Sequence, residues 1–169
     1  PRAGETFVDA TFGAGGYTTA ILAAAPDTRV IAFDRDPDAR ARFDNIEAAV
    51  RARITFVDAP FSTLRTVLDL PGHANGVDGV VFDLGVSSPQ IDTPERGFSF
   101  RADGPLDMRM DPRRGQTAAD LVNTLGEQDL ADLIYTYGEE RKSRAIARAI
   151  VTAREQTGPI KTTAALAAL

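Results

Sequence analysis

The stretch Val8-Asp9-Ala10-Thr11-Phe12-Gly13-Ala14-Gly15-Gly16-Tyr17 decides the fold of this chain. It begins inside a β-branched and aromatic run, Phe7 to Phe12, which predicts a strand, and it leads into a helical pattern from Thr18 to Ala25. The glycines between them permit positive φ angles and let a ligand approach the backbone where a helix begins. The stretch therefore predicts a strand, a ligand-binding turn and a helix. A tight turn without a ligand is the simpler alternative for the glycines alone.

The next segments repeat this alternation of strand and helix. Further strands are predicted for Val30 to Asp34, Ile54 to Asp58 and Val80 to Leu84, with helices over Pro37 to Arg53 and Ser62 to Leu70. Asp36 is placed to cap the first of these helices, and Pro71-Gly72 closes the second. Strands that alternate with helices imply right-handed βαβ units and a parallel sheet covered on both faces. The fold class is therefore α/β, with a doubly wound, Rossmann-like sheet.

The second half of the chain has a different pattern. Residues 85 to 116 are rich in glycine and proline and predict a long loop. Three helices follow: one capped by Thr117 with Asp120 and ended by Gly126, one over Glu127 to Tyr137, and one over Glu139 to Gln156. The predicted apolar stripe of the third helix consists of Ala145, Ile146, Ala149 and Ile150. We expect a cofactor domain over residues 1–104 and a helical subdomain over 105–169, in a fragment of a longer protein.

Composition excludes several classes of function. The chain has 169 residues, 43% of them apolar and 25% charged, which is typical of a soluble globular protein. There is no cysteine and His73 is the single histidine, so disulfides, Cys-ligated zinc and multi-histidine metal sites are excluded and we expect no metal. The longest apolar runs, of which Ala20 to Ala25 is one, are too short to cross a bilayer. A cytoplasmic protein with no membrane partner is expected.

The charge pattern bears on nucleic-acid binding. A net charge of −5 argues against a duplex-binding protein of the usual basic kind. A local basic cluster is nevertheless present, and it is either a solvated helix face or a nucleic-acid contact. It consists of Arg141, Lys142, Arg144, Arg148 and Arg154.

Polar and aromatic residues follow the predicted strands. Asp34 ends the second strand, where a carboxylate can accept the ribose hydroxyls of a nucleoside cofactor, although it could also cap the next helix. Phe61 follows the third strand and is either an adenine contact or a core residue. Asp83 and Gln90 follow the fourth strand, near the point where ligands bind in doubly wound sheets. They either contact a ligand there or belong to a structural turn. The segment from Arg96 to Asp111 reads as a loop tied by its own ion pairs, with Phe98 and Phe100 tucked inside.

Several motifs give the chain a resemblance to the RsmH/MraW family, whose members are S-adenosylmethionine-dependent methyltransferases acting on cytosine N4 of 16S ribosomal RNA. The resemblance covers nearly the whole chain, and the last three motifs are specific to that family. The motifs are Asp9-Ala-Thr-Phe-Gly-Ala-Gly-Gly-Tyr17, Phe33-Asp-Arg-Asp-Pro37, Asp83-Leu-Gly-Val-Ser-Ser-Pro-Gln90, Arg96-Gly-Phe-Ser-Phe100, Gly104-Pro-Leu-Asp-Met-Arg-Met-Asp111 and Tyr137-Gly-Glu-Glu-Arg141.

The resemblance implies a class I methyltransferase sheet, here its first four strands, with the start of a helical insertion. It implies S-adenosylmethionine as the cofactor and 16S ribosomal RNA in the small ribosomal subunit as the partner. Tyr17 stands where the family more commonly has histidine, so a backbone contact is the expected one there, and no residue is assigned as the catalyst. By resemblance, the cofactor contacts are Gly15, Gly16, Tyr17, Asp34, Phe61, Asp83 and Gln90.

Two other functions are compatible with parts of the sequence. The glycine turn and Asp34 also suit a nicotinamide-dependent oxidoreductase, but Thr18 stands where the dinucleotide fingerprint has its third glycine. A non-catalytic cofactor-binding fragment is the other alternative, because strands of the methyltransferase sheet are missing from the sequence.

Overall fold

The computed structural model describes residues 1–69 and 76–169. Leu70, the Pro71-Gly72 turn and His73 lie outside the described residues. The chain forms two compact units, Pro1–Ser87 and Ser88–Leu169. The sequence predicted the boundary between the two parts after residue 104. In the structure, residues 88–104 are grouped with the helical unit and not with the sheet.

The first unit is built on a parallel sheet, as predicted. The strand order is β3-β2-β1-β4, and β1 pairs in parallel with both β2 and β4. This order places the first strand in the middle, as in half of a doubly wound sheet. The strands are β1 (Thr6–Asp9), β2 (Arg29–Asp34), β3 (Ile54–Asp58) and β4 (Gly79–Val81).

Both faces of the sheet are covered. Along β2, Val30 and Ala32 join one buried cluster, whereas Ile31 and Phe33 join another. Successive strand residues point to opposite faces, so an almost continuously apolar strand is buried on both sides. The helices that cover the sheet are α1 (Gly16–Ala24), α2 (Pro37–Asp44), α3 (Ala48–Arg51) and α4 (Leu64–Leu68), with a 3-10 turn over Phe61–Thr63.

The helix predicted over Pro37 to Arg53 is two helices. Its start is confirmed, because the Asp36 carboxylate accepts a hydrogen bond from the Asp38 backbone N–H at 2.9 Å. The first helix ends at Asp44, where the Asn45 side chain donates back to the Ala41 carbonyl and Arg51 Nη1 donates to the Asp44 carbonyl. Side chains thus satisfy carbonyls that a continuous helix would have used.

Two predicted strands are shorter in the structure. The strand from Phe7 ends its ladder at Asp9, because the chain then turns towards β2 and the Phe12 N–H bonds to the Phe33 carbonyl at 2.9 Å. The turn buries the Phe12 ring against Phe43 and Phe56. The fourth strand ends at Val81 instead of Leu84.

The second unit is helical. The predicted loop over residues 85–116 contains a short helix and a 3-10 turn over Pro94–Arg96. The capping box of Thr117 and Asp120 is confirmed. The helices are α5 (Ser88–Asp92), α6 (Ala118–Thr124), α7 (Glu127–Gly138), α8 (Ser143–Thr157) and α9 (Thr163–Ala167).

Backbone contacts explain why residues 88–104 belong to this unit. The Thr163 N–H donates to the Gly104 carbonyl at 3.0 Å, and the Ala164 N–H donates to Asp103 Oδ1 at 3.0 Å. Arg96 is buried and donates to the carbonyls of Arg109 and Met110. These bonds join segments far apart in sequence, which local patterns do not reveal.

The buried face of α8 differs from the predicted stripe. Ser143, Ala147 and Ile150 are buried, whereas Ala145 and Ile146 are exposed. The stripe continues to Arg154, whose guanidinium donates to the Val122 and Leu125 carbonyls at 2.6 and 2.7 Å. The predicted burial of Ile150 is confirmed, but the predicted burial of Ala145 and Ile146 is wrong, because the buried face includes a serine and an arginine that hydropathy alone does not select. The helix also starts at Ser143 instead of Glu139, which has a left-handed φ of 52°.

Across residues 1–69 and 76–169, no helix combines the length and apolar character needed to span a membrane.

Candidate functional site

The glycine turn after β1 leaves room for a ligand beside the backbone. Gly13 and Gly15 have φ angles of 53° and 82°, a conformation that favours glycine. A side chain at Gly15 would also come within 3.0 Å of the Phe12 ring. By contrast, among the described residues outside the adjoining backbone, no atom lies within 4 Å of where a Gly16 side chain would stand, at the first residue of α1. The open space at this helix start fits a bound cofactor.

Asp9 organises this turn, although the sequence analysis did not select it as a site residue. Its side chain is fully buried, and Oδ2 accepts from the Thr18 N–H at 3.1 Å and from the Thr18 hydroxyl at 2.7 Å. Oδ1 accepts from the Thr11 N–H at 3.2 Å. Burial raises the pKa of the Asp9 carboxyl above its ordinary value, and the hydrogen bonds from Thr18 and Thr11 oppose this in part. The sequence signal that could have identified Asp9 is its position as a carboxylate at the end of an apolar strand.

Asp34 lies at the end of β2 and contacts the same turn. Its Oδ2 accepts from the Gly13 N–H at 2.7 Å, and its Oδ1 accepts from the Asp36 N–H at 2.9 Å. Asp36, not Asp34, caps α2. Each carboxylate oxygen has a second lone pair, so the side chain can accept further hydrogen bonds from ribose hydroxyls.

The ends of β3 and β4 carry exposed aromatic rings. Phe61 is 43% exposed, which is not the exposure of a core residue. Its ring lies edge-on to Phe82, with centroids 5.5 Å apart. An exposed aromatic pair at the carboxyl end of a parallel sheet can stack against a purine ring.

The exit of β4 is tied to the exit of β1. The Asp83 N–H donates to the Thr11 hydroxyl oxygen at 2.8 Å, while the Asp83 side chain is exposed. Tyr17, on the first turn of α1, is half exposed. Since parallel strands end at one edge of the sheet, that edge carries Gly15, Gly16, Tyr17, Asp34, Phe61 and Asp83.

Gln90 belongs to the second unit, where it is buried on α5. The prediction that the segment from Arg96 to Asp111 is tied by its own ion pairs is confirmed by Arg109, which bonds to Asp107 at 2.6 Å. Asp111 pairs at 2.8 Å with Arg113, just beyond that segment. Each arginine lowers the pKa of its partner carboxyl. The prediction that Phe100 is tucked inside is wrong, because its side chain is 80% exposed.

The members of the basic cluster differ in the protein groups that they contact. Arg154 caps α6, as described above, and Arg148 pairs with Glu127 at 3.2 Å. Arg141, Lys142 and Arg144 are exposed around the start of α8.

Comparisons with known proteins identify the family of the chain. Proteins named ribosomal RNA small subunit methyltransferase H match from Methylobacterium sp. (strain 4-46), at 58% identity over 95% of this chain and 47% of the relative. The match from Nitrobacter hamburgensis is 57% identical over 99% of this chain and 49% of the relative. That from Granulibacter bethesdensis is 52% identical over 100% of this chain and 50% of the relative. The chain spans about half the length of the relatives it matches. The model of the MraW methylase family matches residues 1–169, and the chain belongs to that family.

Proposed function

We propose that the full-length protein is an S-adenosylmethionine-dependent methyltransferase that methylates the N4 amine of a cytosine in 16S ribosomal RNA. The observation that carries the proposal is the meeting of an open glycine turn, Asp34 and the β4 exit at one sheet edge in a chain of the MraW methylase family. The names of the relatives support a ribosomal RNA of the small subunit as substrate. The protein would act in the cytoplasm, on the small ribosomal subunit.

The residues at the sheet edge fit the parts of the cofactor. The backbone at Gly15, Gly16 and Tyr17 would hold its amino acid portion, and the free lone pairs of Asp34 would accept the ribose hydroxyls. Phe61 would contact the adenine ring. When bound, S-adenosylmethionine supplies an electrophilic methyl group on sulfur. Gln90 is retained as a cofactor contact on the family resemblance.

Asp83 is the residue with the chemistry to assist the target amine. The cytosine N4 lone pair is delocalised into the ring, which makes the amine a poor nucleophile. A carboxylate that accepts a hydrogen bond from N4–H would localise the lone pair and orient the amine. The exposed Asp83 carboxylate at the β4 exit is suited to this role.

RNA recognition is proposed to depend on shape more than on charge. The net charge of −5 suits a protein that reads splayed, unpaired bases in a ribosomal site and not a long duplex. The exposed residues Arg141, Lys142 and Arg144 would supply local phosphate contacts.

The oxidoreductase alternative is disfavoured by Thr18. In the dinucleotide fingerprint the third glycine allows close packing of helix and strand. Here that position holds a buried threonine whose hydroxyl is bonded to Asp9 at 2.7 Å. The turn is therefore organised by a buried carboxylate and not by a third glycine.

Calorimetry of the full-length protein with S-adenosylmethionine and with NAD tests the cofactor. We expect binding of S-adenosylmethionine, and binding of NAD alone would overturn the proposal. Incubation with unmodified small ribosomal subunits and a methyl-labelled cofactor then tests the product. Labelled N4-methylcytidine in the hydrolysed 16S RNA supports the proposal, and label on another atom or RNA contradicts it. The same calorimetry on the 169-residue chain tests the reading of a cofactor-binding fragment.

A further inference from the structure

The end of β4 is held by a side chain where a regular sheet uses the backbone. The Ala10 N–H donates to the Val81 carbonyl at 2.9 Å, as in a parallel ladder. In a regular ladder the N–H two residues further along would next donate to a backbone carbonyl of β1. Here the Asp83 N–H donates to the Thr11 hydroxyl oxygen at 2.8 Å. Thr11 thus extends the pairing of β1 and β4 beyond the point where β1 turns away.

Thr11 is itself fixed by the buried carboxylate below the glycine turn. Its N–H donates to Asp9 Oδ1 at 3.2 Å, while Asp9 Oδ2 accepts from the N–H and hydroxyl of Thr18 on α1. A chain of hydrogen bonds therefore runs from the first turn of α1 through Asp9 and Thr11 to the backbone of Asp83. It connects the segments that contain the proposed cofactor contacts Tyr17 and Asp83.

We propose that Thr11 is a positioning residue, whose hydroxyl holds the backbone of Asp83 so that the carboxylate is presented at the cofactor edge. The proposal rests on the proposed function for the role of Asp83, but the hydrogen bond itself does not. Thr11 is not among the residues that the family resemblance assigns to the cofactor.

The chemistry of threonine suits this position. Its branched Cβ restricts χ1, which limits the directions that the hydroxyl can take. Asp83 is exposed and lies two residues beyond the end of β4, so the bond to Thr11 restrains the chain where the regular ladder has ended. Loss of the hydroxyl would let the β4 exit move without removing any apolar contact.

Hydrogen exchange tests the contact without reference to catalysis. In the full-length protein we expect the Asp83 amide to exchange about tenfold faster in Thr11→Val, which keeps the shape of the side chain and removes the acceptor. Thr11→Ser keeps the hydroxyl and should stay within about threefold of the parent. Thr66→Val, at an exposed threonine of α4, is the matched control. An unchanged rate in Thr11→Val, or equal acceleration in Thr11→Ser, overturns the proposal. Thr11→Ala serves as a second hydroxyl-free variant if Thr11→Val fails to fold.

A double-mutant cycle tests the link to Asp83. Thr11→Val should slow single-turnover methyl transfer by about tenfold in the parent and by less than about twofold in an Asp83→Ala background. The full tenfold loss in both backgrounds would show that Thr11 does not act through Asp83 and would overturn the proposal. If the parent protein itself does not bind S-adenosylmethionine, the proposed function fails, and the exchange rate of the Asp83 amide alone decides the role of Thr11.

Discussion

At the scale of single residues, three carboxylates at the ends of neighbouring strands have different environments. Asp9 is fully buried and accepts hydrogen bonds from Thr11 and Thr18 at both carboxylate oxygens, whereas Asp83 is exposed. Asp34 is intermediate: it holds the glycine turn through Gly13 and keeps lone pairs for a ligand. Burial and hydrogen bonding make Asp9 a structural residue. In the proposed function, Asp34 binds the cofactor and Asp83 contacts the reacting amine.

Replacement of Asp34 should weaken cofactor binding. Asp34→Ala removes the acceptor of the ribose hydroxyls and of the Gly13 N–H, and each charge-assisted hydrogen bond is worth roughly 1.5–3 kcal/mol. Calorimetry on the full-length protein should therefore show S-adenosylmethionine affinity reduced by at least about tenfold. Asp69→Ala, which removes an exposed carboxylate of a surface ion pair, is the control. Unchanged affinity in Asp34→Ala would show that the ribose is bound elsewhere.

The raised pKa of Asp9 makes a prediction about pH and stability. A carboxyl whose folded pKa lies above its ordinary value of 3.8 binds protons more readily in the folded protein than in the unfolded chain. Its contribution to stability is therefore greatest below 3.8 and is lost as the pH rises through the raised pKa. The free energy of unfolding of the parent minus that of Asp9→Asn should fall over this interval, as measured by urea unfolding at a series of pH values. A difference that rises with pH would contradict the raised pKa.

At the scale of elements, side chains of one helix in the second unit form hydrogen bonds with the backbone at the end of another. The last carbonyls of α6 have no partner within that helix, and Arg154 of α8 donates to those of Val122 and Leu125. The Asn123 side chain links the same helix to the Ile160 backbone by bonds of 2.7 and 2.9 Å. The buried face of α8 therefore includes the polar Arg154 side chain, which a hydropathy pattern would assign to the exposed face.

Arg154→Met should destabilise the second unit while keeping most of the apolar stem. It leaves two helix-end carbonyls without their donor, which predicts a loss of roughly 1.5–3 kcal/mol in the free energy of unfolding. Arg144→Met, at an exposed position of the same helix, should change it by less than about 0.5 kcal/mol. Urea unfolding of both variants gives the comparison, and equal stabilities would refute the capping role.

At the scale of the whole molecule, the positively charged residues are distributed unevenly. The chain carries a net charge of −5, yet exposed cations gather around the start of α8. Arg148 and Arg154 are engaged with protein partners, so Arg141, Lys142 and Arg144 remain as the candidates for RNA. A small exposed group is consistent with recognition of a shaped RNA site.

Neutralising the exposed arginines should weaken RNA use but not cofactor use. The double variant Arg141→Gln, Arg144→Gln should raise the concentration of small subunits needed for half-maximal methylation and should flatten its salt dependence. Its S-adenosylmethionine affinity should equal that of the parent. Arg65→Gln, which removes a cation 88% exposed on α4, is the control. A salt dependence as steep as that of the parent would mean that the two arginines contact solvent only.

Local patterns in the sequence determined much of this protein. Alternating apolar segments predicted the α/β class and the strands around Val30 and Ile54, and short-range chemistry predicted the caps at Asp36 and Thr117. These features depend on residues within a few positions of each other, so they can be predicted from the sequence directly. The MraW methylase family was also recognisable from its motifs.

Only the tertiary structure decided the features that join distant residues. The bond from Asp83 to Thr11 spans 72 positions, and Thr163 contacts Gly104 across 59, which moves residues 88–104 into the helical unit. The buried face of α8 likewise follows from the carbonyls that Arg154 reaches on α6. Hydropathy and propensity record what a residue prefers on average, whereas such hydrogen bonds depend on which groups the fold brings within reach.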